Sequence, residues 1–85
     1  MAYSIQFTAR ALRDLVALDR PVQQRLRHRI DRLAQNPFPA GAKKLHGEEP
    51  YYRIRVGDYR VIYQVEARQL RVVVVKIGHR REVYR

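Results

Sequence analysis

The stretch Tyr51-Tyr52-Arg53-Ile54-Arg55-Val56-Gly57-Asp58-Tyr59-Arg60-Val61-Ile62-Tyr63-Gln64-Val65 decides the fold of this chain. From Tyr51 to Val56 the residues alternate. Tyr52, Ile54 and Val56 fall on one side, and Tyr51, Arg53 and Arg55 on the other, the period of a half-buried strand. Gly57-Asp58 is a turn signal, because glycine supplies the positive φ that tight hairpins need. Tyr59 to Val65 returns as the second strand. The tight turn brings Arg60 within reach of Arg55, so one side of the hairpin is apolar and the other cationic.

Toward the C-terminus, Glu66 to Gln69 turns again, and Leu70 to Ile77 is a β-branched run suited to a central strand covered on both faces. Toward the N-terminus, Lys43 to Pro50 is expected to be a connector. Asn36-Pro37-Phe38-Pro39-Ala40-Gly41 ends a helical region. In that region Val22, Leu26, Ile30 and Leu33 form an apolar stripe opposite Arg25, Arg29 and Arg32. Asp19-Arg20-Pro21 marks its start, since proline suits a first helical turn. Leu12, Leu15 and Val16 belong to an earlier helix with Thr8 as a plausible N-cap. Tyr3 to Phe7 alternates as a short strand. The order β-α-α-β-β-β predicts an α+β fold, a helical hairpin packed on one face of a mainly antiparallel four-stranded sheet. At 85 residues, the chain is expected to form one domain, 1–85.

Charge narrows the function. Eighteen Lys and Arg against eight Asp and Glu give a net charge of +10. Lysine occurs only at Lys43, Lys44 and Lys76, so arginine supplies most of it. Arginine's planar fork suits phosphate, and solubility alone needs far less charge than this. Such a field attracts polyanions. There is no cysteine, so disulfides and thiolate metal sites are excluded. Nothing resembles a signal peptide, and the longest apolar run, Val72 to Val75, is far too short to cross a bilayer. The expected location is the cytoplasm, with no membrane partner.

The chemistry narrows by composition. His28, His46 and His79 lack ligand spacing, and no carboxylate cluster accompanies them, so no metal and no cofactor is expected. Serine occurs once, at Ser4, which speaks against a serine hydrolase. RNA, by contrast, carries its own nucleophile, the 2′-hydroxyl beside each phosphate. An enzyme then needs fixed cations at the phosphate and groups that move protons. Arg53, Arg55, Arg60 and Arg80 supply the first, and Tyr84 or His79 the second. Binding of RNA or DNA without catalysis also fits these residues.

Two blocks, Tyr52-Arg53-Ile54-Arg55-Val56-Gly57-Asp58-Tyr59-Arg60-Val61-Ile62-Tyr63 and Val75-Lys76-Ile77-Gly78-His79-Arg80-Arg81-Glu82-Val83-Tyr84, resemble the RelE branch of the RelE/ParE toxin superfamily. Phe7-Thr8-Ala9-Arg10-Ala11, Asn36-Pro37 and Lys44-Leu45-His46-Gly47 fit in the same order, so the resemblance covers nearly the whole chain. It implies a toxin of a type II toxin–antitoxin system, a ribosome-dependent endoribonuclease that cuts mRNA in the ribosomal A site. Arg53 and Arg55 stand where the family has basic residues on the first hairpin strand, although its best-known member uses lysine there. Arg60 stands at the phosphate-binding arginine, Arg80 at the arginine of the penultimate segment, and Tyr84 at the catalytic tyrosine.

Lys43, Lys44, His79 and Arg81 are expected RNA contacts, to message or to ribosomal RNA. The resemblance also implies a cognate antitoxin, RelB-like or of another family, in a toxin–antitoxin hetero-oligomer. Two alternatives share the sequence features. One is a ParE-like toxin that poisons gyrase without cleaving RNA, and the other is a non-catalytic RNA-binding module.

Overall fold

The hairpin forms as its alternation demands. In the computed structural model, which describes residues 2–47 and 50–79, β-strands run over Tyr51–Val56 and Tyr59–Glu66. They pair antiparallel, with Arg53 opposite Ile62 and Arg55 opposite Arg60. Gly57 takes φ 61°, and Asp58 is not among the residues of positive φ. That is the sign pattern of a type II′ turn, in which glycine fills the first central position.

Three further strands complete the sheet. With β1 at Ser4–Phe7, β2 at Lys43–Lys44, β3 and β4 forming the hairpin, and β5 at Arg71–His79, the spatial order is β1-β5-β4-β3-β2. The β1–β5 pair is parallel and the others are antiparallel. The expected four strands are thus five. The connector contributes a two-residue strand, Lys43–Lys44, which is too short to leave a periodic signature. A 3-10 turn over Ala67–Gln69 joins β4 to β5.

The helices α1 (Ala9–Val16) and α2 (Arg20–Arg32) cover one face. Thr8 caps α1 by accepting a hydrogen bond from the Ala11 amide at 3.1 Å. Pro21 sits in the first turn of α2, where its missing amide proton costs nothing. Leu15, Leu26, Ile30 and Leu33 meet Ile54, Val56, Val61, Tyr63, Val72, Val74 and Ile77 in one buried cluster. Each large apolar side chain withdrawn from water there contributes roughly 1.5–3 kcal/mol before chain entropy is counted. No helix among the described residues is long and apolar enough to cross a membrane.

In β5 the structure corrects simple alternation. Val72 and Val74 face the helices at 0% exposure, whereas Val73 and Val75 are half-buried, so helices cover only one side of this interior strand. A register shift then falls between Ile62 and Tyr63 of β4. Tyr63 lies opposite Val74 and Ile62 opposite Lys76, which leaves Val75 as an extra residue. Continued alternation from Val74 would drive Lys76 into the core and expel Ile77. The bulge does the reverse, and Ile77 is buried.

Candidate nucleic-acid interface

Register places the cations. Residues directly opposite in an antiparallel pair share a face. One row across the sheet therefore reads Lys43, Arg53, Ile62, Lys76, and the next reads Arg55, Arg60, Gly78. Both rows lie on the face turned away from the helices, because Ile54, Val61 and Ile77 between them belong to the helix-covered core. Five cations share these rows with no carboxylate. The face expected from the hairpin is present, and β2 and β5 extend it on both sides.

Its depth differs from expectation. The alternation suggested an exposed basic surface, but only Arg55 of the three arginines is exposed. Arg53 is 5% exposed and Arg60 7%. Alternation assigns a side chain to a face and says nothing of how deeply that face is covered. The Arg53 Nε has no hydrogen-bond partner among the described residues. A buried guanidinium keeps its charge, and a charge withdrawn from water acts on an incoming anion far more strongly than a solvated one.

The other expected residues separate. Lys44 lies opposite Tyr52 and so belongs to the opposite face from Lys43. His79 lies opposite Tyr59, whose ring packs on the core, and the two rings meet edge-on at 5.8 Å. His79 is therefore on the helix side of the sheet, a consequence of the Val75 bulge that sets the phase of β5. Arg80, Arg81 and Tyr84 lie outside the described residues.

Lys76 was missed in the sequence. The signal for it was the position itself, a lone lysine interrupting Val72–Ile77, which is tolerable only if the strand breaks phase there. Asp14 was missed as well. Its Oδ2 accepts a 3.0 Å hydrogen bond from the Ile77 amide, and Arg10 stands at 3.9 Å from the same oxygen.

Two cavities lie on the helix side and hold none of the five cations. One, of about 250 Å³, is lined by Arg29, Arg32, Leu33 and Ile54 among others. The second, of about 420 Å³, lies between Asp14, Tyr59, Ile77 and His79. Tyr63 is fully buried, and its hydroxyl donates to the Pro37 carbonyl at 2.8 Å. Burial, and secondarily the neighbouring Tyr52, push its pKa from 10.0 up to about 12. It stays a neutral phenol at physiological pH and serves as no base. Among the described residues no three His, Cys, Asp or Glu side chains gather where they would hold a metal ion.

Comparison with known proteins bears on this arrangement. Residues 5–84 match the family model described as ParE toxin of type II toxin-antitoxin system, parDE. The chain is 33% identical over 88 aligned positions to the mRNA interferase toxin RelE of Escherichia coli K12, covering 99% of this chain and 92% of that protein. A solved archaeal RelE-RelB complex from Pyrococcus horikoshii OT3 superposes with TM-score 0.83 at 28% identity, covering 98% of this chain and 100% of the other. The toxin-antitoxin complex RelBE2 of Mycobacterium tuberculosis gives TM-score 0.84 at 26% identity, over 93% and 99%.

Proposed function

The chain belongs to the RelE/ParE superfamily of type II toxin–antitoxin toxins, as a RelE-type toxin, and on that premise we propose that it is a ribosome-dependent endoribonuclease acting on mRNA. The observation that carries the reading is the pair of rows holding Lys43, Arg53, Lys76, Arg55 and Arg60 on one sheet face with no carboxylate among them. A relative of similar length is named an mRNA interferase.

The reaction uses the substrate's own nucleophile. A 2′-hydroxyl in the message loses its proton and attacks the adjacent phosphorus, and the bond to the 5′-oxygen breaks. The leaving oxygen takes up a proton. The products are a 2′,3′-cyclic phosphate and a 5′-hydroxyl, and no metal is called for. Arg60 and Arg80 stabilise the extra negative charge on the phosphorus oxygens, a role for which one such donor contributes about 2.7–4 kcal/mol. Arg53 and Arg55 orient the phosphate, and Lys76 and Lys43 extend the anionic track at either end. Tyr84 takes the 2′ proton. Guanidinium groups gathered at a phosphate favour the phenolate form of a tyrosine beside them, whereas burial keeps Tyr63 neutral. Lys44, His79 and Arg81 contact ribosomal RNA away from the phosphate track.

The reading includes a cognate antitoxin, because a free mRNA nuclease would arrest its host. Archaeal and mycobacterial relatives were solved with RelB-type partners. An acidic partner segment matches the cationic rows by charge. The chain acts in the cytoplasm, where translated message is found.

Primer extension on translated mRNA tests the proposal. Expression of the chain is expected to halt growth and produce new 5′ ends within codons. The matched family model is described by the name ParE, which favours one alternative, a toxin that poisons gyrase. Growth arrest with accumulated gyrase–DNA cleavage complexes and no new mRNA ends would establish that alternative instead.

A further inference from the structure

We infer that Asp14 is a positioning residue for the cationic face, acting by pinning the β5 bulge that turns Lys76 outward. The inference rests on the nuclease reading above. β1 pairs with β5 only as far as Phe7 opposite Val74. Beyond that point the β5 edge has no strand neighbour on this side among the described residues, and α1 takes over. The Thr8 amide donates to the Val74 carbonyl at 2.9 Å. Thr8 Oγ1 donates to the Val75 carbonyl at 3.1 Å, and Asp14 Oδ2 accepts from the Ile77 amide at 3.0 Å. The two side chains bracket Lys76, one bond on each side of it.

The placement matters because a bulge is a choice of register. One residue of slip in β5 displaces the strand by about 3.3 Å and exchanges its two faces. Slip after Val74 would withdraw Lys76 from its place opposite Ile62, in the row that continues to Arg53, and Gly78 from its place opposite Arg60. It would also shift the strand end that leads in sequence to Arg80. The cost of burying Lys76 opposes full slip, but it does not fix the strand to a fraction of an ångström. A hydrogen bond from the Ile77 amide to a half-buried side-chain oxygen does, since such bonds weaken steeply away from their preferred distance and angle. Asp14 itself lies on α1, and neither it nor Thr8 is among the cations that face the phosphate.

The test separates this role from plain stability. Asp14→Ala removes the acceptor, and Asp14→Asn keeps a neutral oxygen for the same amide. Thr8→Val and Thr8→Ser form a second pair on the other side of Lys76, the serine retaining the hydroxyl. Tyr63→Phe, which loses the buried hydrogen bond to the Pro37 carbonyl and leaves the Thr8 and Asp14 bonds to β5 in place, controls for destabilisation. On programmed ribosomes, Asp14→Ala and Thr8→Val are expected to lower kcat roughly 10- to 100-fold, the scale of a misplaced reacting geometry. KM is expected to hold, Asp14→Asn and Thr8→Ser to recover most of the rate, and Tyr63→Phe to keep it. Amide exchange at Ile77 is expected to quicken only in Asp14→Ala among the Asp14 variants.

Wild-type kcat in Asp14→Ala, with a freely exchanging Ile77 amide, would overturn the inference and leave the nuclease reading standing. A loss in Asp14→Asn equal to that in Asp14→Ala would also overturn it, because charge and not the bond would then be at work. Should Asp14→Ala not fold, the Thr8 pair and Asp14→Asn decide by the same criteria. A wild-type protein that yields no new 5′ ends sinks the nuclease reading, and this inference with it.

Discussion

One face of one sheet carries two opposite electrostatic designs. At the far end of β4, Glu66 lies directly across from Arg71, and the Arg71 guanidinium pairs with the Glu66 carboxylate. Six residues back along the same strand, about 20 Å away, Arg60 lies directly across from Arg55. Opposite charges facing each other across strands contribute roughly 0.2–1 kcal/mol, and like charges in that position destabilise. The first end is what folding alone favours. The second works against folding, and Arg53 and Arg60 are also largely withdrawn from water. Such an arrangement suits a polyanion, whose phosphates bring negative charge to this end of the sheet.

The largest expected effect breaks the comparison at its cationic end. Arg60→Met keeps much of the side-chain volume and removes the charge. Cleavage on programmed ribosomes is expected to fall about 10²- to 10³-fold, the cost of losing one fixed donor at a developing oxyanion. The melting temperature is expected to stay near wild type, because methionine keeps much of the packing and relieves the like-charge pairing with Arg55. Retained cleavage with lost stability would make Arg60 a structural residue.

A smaller effect comes from copying the paired end onto the cationic one. Arg55→Glu sets an acid opposite Arg60, as Glu66 is set opposite Arg71. Stability is expected to rise by about 0.2–1 kcal/mol in denaturant titrations. RNA binding is expected to weaken, and its plot of log affinity against log salt to flatten by about 0.7, the share of one phosphate contact on a single strand. If the salt slope does not move, Arg55 lies outside the RNA path.

The two ends were unequally legible in the sequence. The hairpin, its turn at Gly57 and the face shared by Arg53, Arg55 and Arg60 follow from period and turn chemistry, which are local. So does the Thr8 cap. What failed depended on partners distant in the chain. Lys76 and His79 exchange faces relative to strict alternation because of a bulge at Val75, whose one trace in the sequence is the lone lysine in an otherwise apolar run. The bond between Asp14 and Ile77 joins a side chain to a backbone amide 63 positions away, and a backbone amide has no residue type to notice. Lys43 joined Arg53 and Lys44 did not, because a two-residue strand imposes alternation on a pair that reads as one basic spot.

The smallest effect sharpens the comparison at its paired end. The Glu66 and Arg71 side chains are each about one-third exposed, at 36% and 33%, so solvent screens the attraction between them. Glu66→Gln keeps a hydrogen-bond acceptor for the Arg71 guanidinium and removes the ion pair. The expected loss is about 0–1 kcal/mol, the usual range for a surface pair, and it should shrink as salt rises. Cleavage rate, RNA affinity and its salt slope should all stay at wild-type values, although this substitution also makes the chain more positive by one charge. That dissociation is the informative part. If net charge governed RNA capture, Glu66→Gln would strengthen binding and steepen the salt slope, whereas a site defined by the rows of Arg53 and Arg60 is indifferent to a charge about 20 Å along the strand, beyond the Debye length of roughly 8 Å at physiological salt.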